Sequence, residues 1–245
     1  HKAKFAKNPD GFTKFNEQMI SAVVNKGERT YLPSQEKGIK PSNALPYEGY
    51  ANGVLDSDQS FKIELEAGNK LFGKSSSGIG FNVYDNVGKT WAFTVDAGDR
   101  LSYSWPLANF ENQKYDLRIH GVNGFYRRFE GDAKDPKIGV SLQYNKSKGA
   151  KSKPDDTVFL IVKRLDGDKS LAIKITDNAY GNKPLQSVLK ANHNELIIPV
   201  NLKNSHNWYD FTVSADGFTN YSQQFAGHVE AGTDSFTDPL MGGVL

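Results

Sequence analysis

The sequence contains no cysteine, which excludes disulfide bonds, thiolate metal sites and a cysteine nucleophile. No apolar run reaches the roughly 18 residues of a transmembrane helix, so no transmembrane helix is expected. Basic and acidic residues nearly balance, 30 against 28, and the net charge of +2 gives no reason to expect nucleic acid as a partner. Aromatic residues are 12% of the chain, too many for a disordered tail. Together these features predict a folded globular protein.

A leader sequence is also missing. The chain begins at His1 rather than methionine, and no basic segment followed by an apolar stretch comes after it. We therefore expect a processed chain or a fragment of a longer protein.

One helix is predicted near the start of the chain. Its apolar face recurs at helical spacing and consists of Phe12, Phe15, Met19 and Val23. Asn8 is the predicted cap, with Pro9 at the first helical position and Gly27 as the stop. We expect this helix to dock on a β body. An extended connector follows from Tyr31 to Glu48, because that stretch has three prolines and no periodicity.

The rest of the chain predicts short β-strands. Apolar residues alternate with polar ones in many short runs, including 61–65, 91–95, 101–105, 115–119, 158–162, 171–175, 196–200 and 209–213. Each run is bounded by Gly, Asn, Asp or Pro. This pattern is typical of antiparallel sandwiches rather than of βαβ units.

An internal repeat determines the predicted domain count. The segment Tyr115–Ile119 matches Tyr209–Val213, and each is followed by a hairpin signal and then by Phe-x-Gly, at Phe129–Gly131 and at Phe225–Gly227. Further landmarks upstream keep the same order, which indicates a tandem duplication of about 90–100 residues, the size of an immunoglobulin-like sandwich. The predicted fold is all-β: two tandem immunoglobulin-like antiparallel β-sandwich domains with a short N-terminal helix and an extended connector.

The predicted domain limits follow from these features. They are residues 1–30 for the helical lead-in, 31–47 for the proline-rich connector, 48–134 for the first sandwich repeat and 135–245 for the second.

One segment matches a phosphate-loop pattern by letter. Residues Gly68–Ser75 read GNKLFGKS, which satisfies G-x4-G-K-S. That site needs a buried parallel strand before the loop and a helix after it. Here the preceding FKIELEA alternates and the following SSSG is a flexible turn. We expect a surface loop.

Motifs for acyl transfer or metal binding are missing from the sequence. No G-x-S-x-G elbow is present, and no pair of histidines has zinc-ligand spacing. Paired aspartates, which we interpret as turn caps, occur at 56/58, 96/99, 155/156 and 166/168. We expect no catalytic residue, cofactor or metal in this chain.

A basic cluster on one predicted hairpin is the candidate site. It consists of Arg118, His120, Arg127 and Arg128, which could face an anionic headgroup. The second repeat carries threonine and glutamine at the matching positions, so we favour a salt-bridged or solvated surface.

Aromatic residues have two interpretations. Tyr115 and Tyr209 lie where a sandwich places its corner tyrosine, which favours core roles. Trp91, Trp105 and Trp208 raise the alternative of a sugar-stacking platform, but two of them occupy inward positions of predicted strands and burial is favoured.

Four segments resemble bacterial phosphocholine-preferring phospholipases C. They are Pro33–Glu48 (PSQEKGIKPSNALPYE), Tyr115–Gly131 (YDLRIHGVNGFYRRFEG), Thr176–Gly181 (TDNAYG) and Asn207–Pro239, which begins NWYDFTVSADGF. The segments span about residues 33–239 in the family's order.

The resemblance implies a non-catalytic role. In that family a large N-terminal domain, alkaline-phosphatase-like in fold, hydrolyses phosphatidylcholine or sphingomyelin to phosphocholine, and a tandem pair of β domains without assigned catalytic residues follows. Family members are exported from bacteria. The chain is thus predicted to be a scaffold docked on the catalytic domain of the same polypeptide, or a module that approaches a phospholipid membrane. The alternative is a secreted carbohydrate- or surface-binding, adhesin-like sandwich pair.

Overall fold

The alternating runs of the first repeat form β-strands, and each strand has one buried face. A computed structural model describes residues 16–26, 37–144 and 156–244. The first repeat contributes β2 (Gly49–Leu55), β3 (Ser60–Ala67), β4 (Ile79–Asp85), β5 (Thr90–Val95), β6 (Arg100–Pro106), β7 (Tyr115–His120) and β8 (Tyr126–Gly131), preceded by the short β1 (Pro41–Ser42). Burial alternates along them as period-two side chains require; in β2 every second residue is buried.

The second repeat reproduces this strand order. Its strands are β9 (Ile138–Gln143), β10 (Thr157–Arg164), β11 (Leu171–Asp177), β12 (Leu185–Leu189), β13 (Glu195–Asn201), β14 (Trp208–Ala215) and β15 (Ser222–His228), followed by the short β16 (Ser235–Phe236). Every alternating run predicted from the sequence lies in one of these strands.

Each repeat is a three-stranded sheet facing four strands. The order β2-β3-β6 faces β5-β4-β7-β8 in the first repeat, and β9-β10-β13 faces β12-β11-β14-β15 in the second. All pairings are antiparallel, and each repeat has its own apolar core. The all-β sandwich prediction is confirmed. The immunoglobulin-like assignment stays a prediction: β5 pairs with β4, whereas constant-type domains place their fourth strand in the other sheet.

The two four-stranded sheets are one sheet. Strands β8 and β15 pair antiparallel, so eight strands run in the order β12-β11-β14-β15-β8-β7-β4-β5. At the centre of that pairing Arg128 lies opposite Gln224. These two residues are equivalent in the repeats, so the duplication is arranged about a local twofold axis through this pair. The alternating sequence pattern did not predict this continuity.

The helix begins later than predicted. It spans Glu17–Lys26 as α1, and the side chain of Asn16 accepts the Met19 N–H at 2.9 Å, which makes Asn16 the cap. The predicted cap Asn8 lies outside the described residues, as do the other predicted helix residues Pro9, Phe12, Phe15 and Gly27.

The connector is extended and tied to the end of the chain. From Gly38 onward it has no helix, and β1 pairs with β16. The Thr237 N–H donates to the Lys40 carbonyl, and the Lys40 N–H donates to Thr237 Oγ1. Residues Gly38–Leu245 form one compact unit, whereas the predicted domain limits stay a prediction. Among the described residues no helix is long and apolar enough to cross a membrane.

Candidate functional site

The contact between the repeats contains a buried arginine. Arg127 on β8 is 1% exposed. Its Nη1 donates to the carbonyls of Tyr126 and Ala226, each at 2.8 Å, and its Nη2 donates to Tyr209 Oη at 3.0 Å. The guanidinium carbon lies 4.1 Å from the ring centre of Phe125. No carboxylate in the described part of the chain pairs with it, so aromatic faces and oxygen dipoles hold this cation.

The equivalent residue of the second repeat is also a buried polar side chain. Gln223 on β15 is 1% exposed and donates through Nε2 to the Gly53 carbonyl at 3.4 Å. Arg127 Nε and Gln223 Oε1 are buried without a hydrogen-bond partner. We call Arg127, Gln223 and Tyr209 the joint. Buried polar groups need their hydrogen-bond partners, and these groups find them in a single arrangement of the strands. The joint therefore favours one register of β8 on β15.

A second polar cluster, missed by the sequence analysis, resembles a catalytic triad. Ser235 Oγ lies 3.1 Å from His228 Nε2, and His228 Nδ1 lies 3.1 Å from Glu230 Oε1. Serine, histidine and acid in this order are the arrangement of acyl-transfer enzymes. The local spacing H-x-E-x4-S was the available sequence signal, and it matches no motif.

The surroundings of His228 argue against catalysis. His228 Nε2 also lies 3.2 Å from the His206 carbonyl, which only accepts hydrogen bonds. The tautomer with its hydrogen on Nε2 donates to that carbonyl, and in this form Nε2 has no lone pair to take the serine proton. The adjoining cavity is about 20 Å³, room for about one water molecule and not for an ester substrate.

The same cluster fastens three parts of the chain together. Glu230 is buried and lies beside His228. It accepts the Leu45 N–H of the connector at 3.1 Å, and it accepts a hydrogen bond from Asn123 Nδ2 of the first repeat at 2.6 Å. Trp208 packs against His228 with the two rings tilted by 43° and their centres 4.7 Å apart. We call Leu45, Asn123, His228 and Glu230 the clasp. It joins the connector to both repeats.

The predicted basic cluster is split by the strands. Arg118, His120 and Arg128 lie on the outer face of the eight-stranded sheet, whereas Arg127 points into the joint. Both outer arginines bind Asp116, at 2.8 and 2.9 Å. Burial raises the pKa of Asp116, but the hydrogen bonds from the two arginines outweigh it and hold that pKa below its usual value.

Further ion pairing neutralises this face. Arg128 also contacts Glu130 at 2.8 Å, so two guanidinium groups meet two carboxylates. His120 lies between the rings of Tyr84 and Tyr126, with centres 5.5 and 5.0 Å away. A headgroup role for Arg118, His120 and Arg128 stays a prediction, and these contacts supply no free positive charge for it.

The tyrosine prediction is confirmed by burial. Tyr115 and Tyr209 are each 2% exposed. Tyr115 donates to the carboxylate of Asp135, and Tyr209 accepts from Arg127, so the equivalent hydroxyls serve different partners. Trp105 is buried too. The rings of Trp91 and Trp105 meet at 79°, the edge-on packing of a core rather than the coplanar row that sugar stacking needs.

The loop with the phosphate-loop pattern is organised by a carboxylate. Glu48 is buried, and its Oε2 accepts the N–H groups of Lys70 at 2.9 Å and Leu71 at 3.0 Å. A Cβ on Gly68 would lie 2.5 Å from the Glu48 carboxyl carbon, which explains that glycine. The last three residues of the loop, Gly73–Ser75, form a 3₁₀ turn where the motif requires the start of an α-helix.

We therefore expect no nucleotide binding by this loop. Titration of the chain with MgATP should give no saturable heat, because the backbone donors already bind Glu48. A saturable isotherm with a Kd of about 1 mM or tighter would contradict this account.

Asp135 is a further buried carboxyl, and it lies on the segment that connects the repeats. Asp135 is 5% exposed, and besides Tyr115 it accepts the Asp132 N–H at 2.8 Å. Burial raises the pKa of Asp135, and the hydrogen bonds from Tyr115 and Asp132 lower it. Burial has the larger effect, so the pKa of Asp135 is about 6. Because the folded state holds this proton more tightly than the unfolded chain does, Asp135 stabilises the fold at low pH. That contribution is lost as pH rises through about 6.

Asp135→Asn should remove this pH dependence. The stability of the variant minus that of the original chain should increase by about 2–3 kcal/mol between pH 3 and pH 7. Urea unfolding at a series of pH values measures it, and the exposed Asp58→Asn serves as control. A flat difference, or one that falls with pH, would contradict the assignment.

Metal ligation finds no support in the described ranges. Residues 16–26, 37–144 and 156–244 contain no group of three or more His, Asp or Glu that could hold an ion. The aspartates cap turns instead: Asp58 accepts the Ser60 N–H, and Asp166 accepts the Gly167 N–H. Asp155 lies outside the described residues.

Comparison with known families shows which family the chain belongs to. The family model described as "Bacterial phospholipase C, C-terminal domain" matches it twice, at residues 41–132 and 142–228. The chain belongs to this family. The two matches fall on the two strand sets, so one family model describes each repeat.

Related proteins carry phospholipase C names. The chain is 33% identical over 212 residues to "Non-hemolytic phospholipase C" of Burkholderia pseudomallei, covering 86% of this chain and 29% of the relative. It is 30% identical over 219 residues to "Non-hemolytic phospholipase C" and over 238 residues to "Hemolytic phospholipase C" of Pseudomonas aeruginosa, covering 86% of this chain and 30% of each relative. The chain thus spans less than a third of their length.

Proposed function

We propose that this chain is the non-catalytic C-terminal region of an exported bacterial phospholipase C and acts as a scaffold for the catalytic domain of the same polypeptide. That domain would hydrolyse phosphatidylcholine or sphingomyelin to phosphocholine. The chain's share of its relatives' length, 29% to 30%, supports an accessory region rather than a whole enzyme.

The clasp is the observation that carries the scaffold role. Glu230 holds the connector at Leu45, and β1 pairs with β16, so the segment that leads into the module is fixed to both repeats. A lead-in anchored in this way shortens the linker to the region before it, and a shorter linker raises the effective concentration at which the two can dock.

Deletion tests the proposal. Residues 38–245 are removed from a full-length phospholipase C that carries this region, and melting and hydrolysis of p-nitrophenyl-phosphorylcholine are measured. We expect a lower melting temperature and faster thermal loss of activity, and no hydrolysis by the isolated chain. Unchanged melting and activity would overturn the scaffold role. Hydrolysis by the isolated chain would overturn its non-catalytic nature.

The membrane-approach role has a separate test. Flotation of the chain with phosphatidylcholine vesicles should leave it in the unbound fraction, because Asp116 and Glu130 neutralise Arg118 and Arg128. Co-flotation that Arg118→Ala abolishes would favour the membrane role instead.

A further inference from the structure

A groove of about 660 Å³ lies on the outer face of the second repeat, within the size range of small-molecule sites. Four neighbouring strands each contribute one polar side chain to it. Gln186 lies opposite Lys174, Lys174 opposite Ser214, and Ser214 opposite Ser222. At ordinary strand spacing this row of direct neighbours spans about 14 Å.

The hairpin between β14 and β15 also lines the groove. It contributes Asp216 and Phe218, the latter half-buried against the core of the second repeat. Ala172 and Ser214 are small, and they leave space between this hairpin and the longer side chains of Lys174 and Gln186 on the neighbouring strands.

The polar groups of the groove restrict its ligand. The ammonium of Lys174 and the carboxylate of Asp216 balance, and Gln186, Ser214 and Ser222 are neutral. The Ser222 hydroxyl donates to Glu130 Oε2 at 2.8 Å, so Ser222 offers the groove an acceptor only. Hydroxyl and amide groups both donate and accept hydrogen bonds. An anionic ligand would require a surplus of cations, and a wholly apolar ligand would desolvate these groups without replacing their hydrogen bonds. The exposed Val188 also lines the groove, so a ligand that combines hydroxyl groups with an apolar face matches both parts of the lining.

We propose that this groove binds a neutral saccharide, whose hydroxyl groups match the mixed row of donors and acceptors and whose apolar ring face can lie on Phe218. This binding is independent of the scaffold role, since the groove shares no residue with the joint or the clasp. It would give the region a recognition function in addition to a supporting one.

The first repeat provides an internal comparison. Its equivalent row consists of Ala92, Asn82, His120 and Tyr126, paired in the same register. The rings of Tyr84 and Tyr126 flank His120 there, so bulky aromatic groups occupy the face that Ser214 and Ser222 leave open. The duplication has therefore diverged at this row, and saccharide binding is expected in the second repeat alone.

Titration followed by backbone amide NMR tests the proposal. The full chain is titrated with maltotriose, cellotriose and chitotriose. At least one should shift the amides of the groove row, and Gln186→Ala together with Ser214→Tyr should weaken binding at least tenfold. The control Asn82→Ala, in the first-repeat row, should leave the Kd unchanged, and thermal melting verifies that each variant folds. The absence of shifts with all three sugars, shifts located elsewhere, or full binding by the double variant would overturn the proposal.

Discussion

Arg127→Ala is expected to lower the free energy of unfolding by about 3–5 kcal/mol, among the largest effects of any single substitution in this chain. The alanine leaves a cavity between the aromatic rings of Phe125 and Phe225, and it removes the donors from two carbonyls and from Tyr209. Because the joint lies between the repeats, the loss should affect both sandwiches in one transition. Urea unfolding of the full chain, followed by tryptophan fluorescence and circular dichroism, measures it.

Two variants separate packing from charge at this position. Arg127→Met keeps most of the buried volume and should cost about 1–2 kcal/mol, since a buried cation without a carboxylate is replaceable by an apolar chain. The neighbouring Arg128→Ala should cost at most about 1 kcal/mol, because its ion pairs are partly exposed. Equal effects of Arg127→Ala and Arg128→Ala would contradict the role of the joint.

Glu230→Ala should cost about 3 kcal/mol, because it leaves Leu45 N–H, Asn123 and His228 without their buried acceptor. Its distinctive effect is on the connector. Hydrogen exchange at the Leu45 amide should become at least about tenfold faster than in the original chain, the equivalent of 1.4 kcal/mol of lost protection.

The exposed Glu111→Ala is the control for that experiment and should change stability by about 0.5 kcal/mol or less. Glu230→Gln keeps the side-chain shape and one acceptor oxygen. Its loss of stability should therefore lie between the losses caused by Glu230→Ala and Glu111→Ala. If Leu45 exchanged at an unchanged rate in Glu230→Ala while the sandwiches lost stability, the clasp would not anchor the connector.

Much of the fold could be predicted from period-two patterning. Runs such as Phe61–Leu65 and Tyr209–Val213 have one apolar face each, and the repeated Tyr-Asp and Phe-x-Gly landmarks predicted two similar sets of strands. The continuous sheet was not predictable in this way. The outer residues of β8 and β15 are polar whether these strands form free edges or a pair, so alternation carries no information about their pairing.

The sites were harder to predict for a related reason. Arg127 and Arg128 are adjacent, and composition groups them, but neighbouring residues of a strand point to opposite faces. Only placement of β8 showed that one guanidinium enters the joint. The clasp depends on Leu45, Asn123 and Glu230, which are far apart in sequence and meet only through the fold. The local signal around His228 gave no indication of either distant partner.

The most direct measurement is thermal inactivation of a full-length phospholipase C that carries this region, with Arg127→Ala compared with Arg128→Ala. The assay follows hydrolysis of p-nitrophenyl-phosphorylcholine, a soluble substrate that requires no membrane. The scaffold account predicts that Arg127→Ala lowers the inactivation temperature by about 5 °C or more, while kcat below that temperature is unchanged. Arg128→Ala should resemble the original enzyme. An inactivation temperature unchanged in Arg127→Ala, although the isolated chain is destabilised, would contradict the account.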